Sequence, residues 1–368
     1  MTHANETRLA QSLPSSVPFV GPETMERAQG RPFAARLGAN ENIFGPSPLA
    51  IHAMAEGAKD NWMYGDPENH DLIHALSTHH NVGPESIIVG EGIDGLLGYL
   101  ARLFIEPGDA VVTSEGAYPT FNFHVAGYGG VLHTAPFKND HEDPDALIAK
   151  AHDVNAKLIY IANPDNPMGS HHKADVIHDM ITRIPDGALL VLDEAYIEFA
   201  PEGTAPAFDT RNPNVIRFRT FSKAYGMAGA RVGYAIGEAA RMKSFHKIRN
   251  HFGMCRSSQL GALAALQDQA HLQSTLKSVT HARKRIGEIA ADNGLTALPS
   301  ATNFVAIDCG QGGDFAKRIV EELTTENIFV RMPFAAPQDR CIRVSCAPDD
   351  DLNLFAAALP RALKRARA

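Results

Sequence analysis

Short, unbroken apolar runs recur along the chain, each followed by a polar or glycine-rich turn and then by residues with helical spacing. SIIV from Ser86, AVVTS from Ala110, LIYIA from Leu158, ALLVLD from Ala188, NVIRFRT from Asn214 and RVGYAIG from Arg231 read as strands. Apolar residues at consecutive positions, rather than alternate ones, suit strands covered on both faces. They predict an α/β fold with a mostly parallel central sheet flanked by helices. From about Ile248 the spacing turns helical, and NFVAID at Asn303, IFVRM at Ile328 and CIRVSC at Cys341 predict the strands of a smaller α+β domain. Residues 1 to about 30 are polar and broken by proline, so they predict an arm rather than a core element. The expected division is an arm and part of the small domain over 1–45, a large domain over 46–265 and a small C-terminal domain over 266–368.

The polar residues fall where the apolar runs stop. The predicted strands of the large domain end at GEGIDG, EGAYPTF, NPDNPMG, DEAY and TFSKAYG. Open α/β sheets bind ligands beyond the carboxyl ends of their strands, so a series of such ends points to one shared site.

Lys223 lies in TFSKAYGMAGARVGY, between the hydroxyls of Thr220 and Ser222 and a glycine-rich stretch ending at Arg231. Small residues allow close backbone approach, and hydroxyls with an arginine fork suit a phosphate. A lysine that is partly desolvated near another cation has a lowered pKa and can form an imine. An isolated loop lysine is usually a solvated charge; this setting favours chemistry. Asp193 ends an apolar strand, where a carboxylate needs a cationic partner such as a protonated pyridine nitrogen, although helix capping is its ordinary use. Asn166, between two prolines, and Tyr196 can hydrogen-bond a phenolic oxygen on the same ring; a plain turn and simple packing are their ordinary uses.

GEGIDG at Gly90 also fits the G-x-G-x-x-G outline of a dinucleotide site, with Glu115 ending the next strand. What both readings share is a helix N-terminus holding a phosphate through backbone N–H groups. A nicotinamide cofactor leaves Lys223, Asp193, Asn166 and Arg231 without a role, so a dehydrogenase ranks below a phosphate-bearing aldehyde cofactor.

Composition changes this picture little. The 368 residues carry a formal charge of −8 at pH 7, which offers no general attraction to nucleic acid or anionic lipid. No apolar run approaches membrane-spanning length. Cys255, Cys309, Cys341 and Cys346 form no C-x-x-C pair, which suits reduced thiols in a cytoplasmic enzyme. The N-terminal residues do not read as a signal peptide. Among 17 histidines, His70 and His74 share a predicted helix face, but no metal motif completes a site.

With these segments assembled, the chain resembles the fold-type-I pyridoxal-phosphate aminotransferases of the histidinol-phosphate aminotransferase type. LGANENIFGPSP, YGDPENHDL, NPDNPMG, DEAYIEF, TFSKAYGMAGARVGY, PSATNF and IRVS occur in that family's order, from about Leu37 to about Ala347. The resemblance implies pyridoxal 5'-phosphate as cofactor, with Lys223 as its Schiff-base lysine and proton carrier. It places Asp193 at the pyridine nitrogen, Asn166 and Tyr196 at the phenolic oxygen, and Phe121 in YPTF against the ring. Thr220, Ser222, Arg231 and the backbone of Glu91, Gly92 and Ile93 would hold the phosphate. Tyr64 would reach the phosphate of the partner subunit, implying a homodimer with shared sites. Arg343 would grip a substrate carboxylate and Arg331 a substrate phosphate.

The implied reaction is a ping-pong transamination between an amino donor and a 2-oxo acid, with 2-oxoglutarate as the expected acceptor. An aromatic amino acid donor and a decarboxylase on the same scaffold are the alternatives. Three departures fall around the expected substrate pocket: Phe19 where the family often has tyrosine, YGDP for the commoner YPDP, and Arg256 in HFGMCRSSQ.

Overall fold

The structure, a computed structural model, describes residues 5–14 and 20–368. Its strands are β1 (Ala35–Arg36), β2 (Ile87–Gly90), β3 (Ala110–Ser114), β4 (Val131–Ala135), β5 (Leu158–Ala162), β6 (Leu189–Asp193), β7 (Val215–Thr220), β8 (Gly233–Gly237), β9 (Thr296–Ala297), β10 (Phe304–Asp308), β11 (Ile328–Phe329) and β12 (Cys341–Ser345). The large sheet has the order β2-β8-β7-β6-β5-β3-β4. All neighbours are parallel except β8, which runs antiparallel to both β2 and β7.

The continuous apolar runs are explained by two cores, one on each face of this sheet. Leu158, Tyr160, Leu189 and Val191 pack on one face with the helix Gly92–Phe104. Ile159, Ile161, Leu190 and Leu192 pack on the other with the helices Pro144–Val154 and Ala174–Thr182. Side chains alternate along a strand, so a strand covered on both faces must be apolar at every position. β4 was missed because it lies at the sheet edge: VLHTA is exposed or half-buried except at Ala135.

The same alternation decides which way the strand ends point. Asp193 continues the face of Tyr160 and Phe218, while Glu194 turns to the opposite face. There the buried Glu194 carboxylate accepts from Arg217 Nη2 at 2.6 Å and Nε at 3.1 Å, and from Arg219 Nε at 2.9 Å. Both guanidinium groups also lie over the Phe208 ring, at 4.0 and 5.0 Å from its centroid. Burial alone would raise the Glu194 pKa; the charges of Arg217 and Arg219 outweigh it and hold the group below its usual range. The clamp joins the end of β6 to β7.

The C-terminal part builds a three-stranded antiparallel sheet, β12-β10-β9, covered by the helices Gln269–Asp292, Gly313–Thr325 and Asp349–Ala366. β1 pairs parallel with β11, so the segment after the arm is built into the C-terminal part. Before β1 lie the short helices Arg8–Ser12 and Pro22–Gln29, in which only Pro22 is buried. No helix among the described residues is long and apolar enough to cross a membrane.

Replacing Glu194 with Ala would leave two buried arginines without their carboxylate, and should cost about 3–5 kcal/mol of stability in urea or thermal unfolding. A loss under ~1 kcal/mol, the scale of a surface pair, would show that the clamp does not hold the strand ends.

Candidate active site

A cavity of about 840 Å³ opens beyond the carboxyl ends of β5, β6 and β7. Lys223, Asp193, Asn166, Tyr196, Arg231 and Arg343 all line it, and so does Arg331. The structure therefore brings together residues that lie far apart in the chain.

Lys223 follows β7. Its Nζ donates to the backbone oxygen of Asn40 at 3.0 Å and lies 5.4 Å from the centre of the Tyr196 ring. Burial and the neighbouring charges of Arg343 and Arg231 bring its pKa down to about 8, with Glu41 and Asp193 opposing. The neutral, nucleophilic amine is thus accessible at mild pH.

Asp193 is buried, with Oδ2 accepting from the Tyr160 hydroxyl at 2.6 Å and Oδ1 from the Ala195 N–H at 2.9 Å. Burial raises its pKa, and those two hydrogen bonds offset only part of the effect. A cation from a ligand would restore its ordinary ionisation, so a protonated pyridine nitrogen fits this carboxylate.

Asn166 accepts from Arg343 Nη1 through its side-chain oxygen, which leaves its NH₂ group to donate. The Tyr196 hydroxyl accepts from Asn40 Nδ2 at 3.3 Å and keeps its own proton, since burial pushes its pKa up to about 12. Both can donate to one phenolic oxygen.

The cluster at the start of the helix Gly92–Phe104, where the sequence leads one to expect a phosphate, has equally local causes. Gly92 opens the helix Gly92–Phe104 with φ +79°, and no side chain caps that end. A Cβ on Gly92 would stand 2.5 Å from Arg231 Nη2. Arg231 itself is left-handed, φ 54°, and donates to Ser222 Oγ at 3.4 Å and to the Glu91 carbonyl at 3.4 Å. Thr220 Oγ1 lies 3.0 Å from Ser222 Oγ. Uncapped N–H groups, two hydroxyls and a guanidinium fit a phosphate dianion. The Glu91 side chain takes no part; it accepts from the Tyr99 hydroxyl at 3.1 Å.

Phe121, expected against the cofactor ring, does not line the cavity. It is fully buried and stacks on Tyr160, centroids 4.6 Å apart at 16°, so it supports the partner of Asp193 from behind. Within YPTF the aromatic residue that lines the cavity is Tyr118, which precedes the helix Pro119–Gly127. Once Pro119 starts that helix, Phe121 turns to the sheet side, and the motif YPTF does not reveal which aromatic faces which way.

Asn40 was not singled out from the sequence, yet four of the quoted segments meet there. Lys223 Nζ and Asn303 Nδ2 both donate to its carbonyl, and its N–H donates to Ser345 Oγ at 3.1 Å. Its φ of 55° turns the chain at this point. LGAN, TFSKAYG, PSATNF and IRVS thus share one structural task.

Among the residues expected to meet the substrate, Arg331 donates to the Val20 carbonyl at 2.7 Å and forms a backbone bridge with Arg343. Burial lowers the Arg343 pKa to about 10, and its Nε is buried without a hydrogen-bond partner. Among the described residues neither arginine forms an ion pair. Phe19 lies outside the described residues. Arg256 opens the helix Arg256–Gln267 and does not line the cavity. The glycine of YGDP is explained by Gln259, whose Oε1 would stand 2.6 Å from a Cβ at Gly65. Tyr64 is 78% exposed and packs on Phe252, centroids 4.8 Å apart. His70 and His74 have rings 4.1 Å apart, and no third ligand joins them among the described residues.

The family model for aminotransferase class I and II matches residues 35–359. The histidinol-phosphate aminotransferase of Anaeromyxobacter sp. (strain Fw109-5) is 34% identical over 327 residues, 87% of this chain and 88% of that protein. Histidinol-phosphate aminotransferase 1 of Nitrosococcus oceani is 32% identical over 348 residues, 94% of this chain and 93% of that protein. The crystal structure of histidinol-phosphate aminotransferase from Sinorhizobium meliloti, in complex with pyridoxal-5'-phosphate, is 52% identical, covers 99% of both chains and superposes with a TM-score of 0.96. Aspartate aminotransferase from Thermus thermophilus, solved with maleate, shares the fold at 20% identity, with 98% of this chain and 100% of that chain covered and a TM-score of 0.81.

An amine forms an imine in its neutral form, so with Lys223 as the expected anchor, capture of pyridoxal phosphate by the apoprotein should speed up as pH rises to about 8 and level off above it. Following the visible band by stopped flow would test this. Arg343→Gln should move the inflection upward, since the Arg343 charge acts with burial to depress Lys223.

Proposed function

The chain belongs to the aminotransferase class I and II family and is a pyridoxal-phosphate-dependent aminotransferase, and from this we propose that it transfers the amino group of histidinol phosphate to 2-oxoglutarate. The observation that carries this reading is the adjacent pair Arg331 and Arg343, neither in an ion pair among the described residues, lining the cavity in addition to Ser222 and Arg231. Two arginines whose charges no carboxylate among the described residues offsets suit a dianion. The donor's phosphate and the acceptor's two carboxylates are both dianionic, so one pair can serve both halves of the reaction.

Bound pyridoxal phosphate supplies the electron sink that makes the donor's amine-bearing carbon acidic. In our reading Lys223 Nζ would hold the cofactor, and the same amine would carry the proton away from that carbon. Asp193 would hold the ring N–H. Asn166 and Tyr196 would donate to the phenolic oxygen, and Tyr118 would line the ring's side of the cavity. Ser222, Thr220, Arg231 and the backbone N–H groups of Gly92 and Ile93 would hold the phosphate.

We also infer a homodimer in which Tyr64 serves the partner's cradle. The exposure of Trp62 at 81%, Tyr64 at 78% and Phe252 at 53% supports a covered face there. A cytoplasmic setting suits the free thiols of Cys255, Cys309, Cys341 and Cys346.

Mixed with a panel of amino donors, the holoenzyme should lose its visible band fastest with histidinol phosphate. Faster bleaching by an aromatic amino acid would transfer the assignment to that class, and release of carbon dioxide would make the enzyme a decarboxylase. Lys223→Ala should abolish turnover. Arg331→Gln should raise KM for histidinol phosphate by about tenfold or more, the loss of a charge-assisted contact.

A further inference from the structure

Two helices form one side of the cavity. Gly92–Phe104 starts at the phosphate cradle, and Pro119–Gly127 follows Tyr118. They are tied together by His124, whose Nε2 lies 2.9 Å from Asp94 Oδ1. The contact has a built seat: a Cβ on Gly98, one turn beyond Asp94, would stand 3.0 Å from His124 Cε1 and 3.1 Å from Nδ1. Any larger residue at 98 would crowd the ring.

Asp94 lies two residues after Gly92, in the first turn of the cradle helix, and lines the same cavity as Ser222 and Arg231. A first-turn carboxylate normally gains from the helix dipole. Here that gain comes with a cost, because a second anion beside a bound phosphate repels it. Among the described residues, His124 is the hydrogen-bond donor to this carboxylate. A carboxylate only accepts, so the ring presents its proton from Nε2.

We propose that His124 is a positioning residue for cofactor binding: it acts through Asp94, engaging the carboxylate so that the adjacent cradle accepts the cofactor phosphate at full strength. The inference rests on the reading that Gly92, Ser222 and Arg231 hold that phosphate.

The test compares apoprotein of the wild type, His124→Ala, His124→Gln and the double variant Asp94→Asn/His124→Ala. Each is titrated with pyridoxal phosphate through its visible band, and the apo forms are compared by thermal unfolding. His124→Ala should bind the cofactor about tenfold more weakly, as expected when an anion loses its charge-assisted donor. His124→Gln keeps an N–H at the same place and should bind like the wild type. The double variant should regain wild-type affinity, although it keeps the space left by the missing ring, because the uncompensated charge has gone. Wild-type affinity in His124→Ala would overturn the proposal. So would a double variant as weak as His124→Ala, since lost packing would then be the cause. A wild-type protein that forms no band with pyridoxal phosphate would overturn the cofactor reading, and this inference with it.

Discussion

The clamp between Glu194 and the pair Arg217 and Arg219 sits behind the sheet, and the geometry in front of it follows. The carboxylate is buried, so it cannot exchange its partners for water without a large penalty. Three donor groups from β7 hold it at the point where β6 ends. Asp193 is the preceding residue, and strand alternation sends it to the opposite face, into the cavity. Thr220 ends β7 on that same side, three residues before Lys223. One electrostatic fastening therefore fixes where the acid and the lysine stand relative to each other.

On the cavity side the charges are arranged in opposition. Burial, with the charges of Arg343 and Arg231 beside it, weakens the hold of Lys223 on its proton, and burial likewise raises the pKa of Asp193. Each is left short of what a pyridoxal ring offers: an aldehyde for the amine and a ring N–H for the acid. The neutral tyrosine and the amide nitrogen supply donors between them. Tyr160 donates to the acid and Phe121 stacks on Tyr160, so the support of Asp193 is itself a packed stack.

Much of this was legible in the order of residues. Apolar runs located the covered strands, and their polar ends located Lys223, Asp193, Asn166, Tyr196 and Arg231 at one cavity. The edge strand Val131–Ala135 was not legible, because a strand half open to solvent has no continuous apolar run. The antiparallel course of β8 was not legible either, since a covered strand looks the same in both directions. Which aromatic of YPTF faces the cavity was not legible for a related reason. Tyr118 and Phe121 are both aromatic and three residues apart, and only the start of a helix at Pro119 decides which one faces the cavity.

By itself the sequence determined the chemistry available: a lysine among hydroxyls, an acid at the end of an apolar strand, glycines at a helix start, and arginines late in the chain. These are local properties, set by residue type and strand or helix periodicity. The tertiary structure decided which of them meet. Asn40, Asn303 and Ser345 converge through hydrogen bonds spanning 263 and 305 residues, and no periodicity encodes such a contact. The lowered pKa of Lys223 is likewise a property of the fold, because burial and the charge of Arg343 exist only once the C-terminal strands close over the cavity.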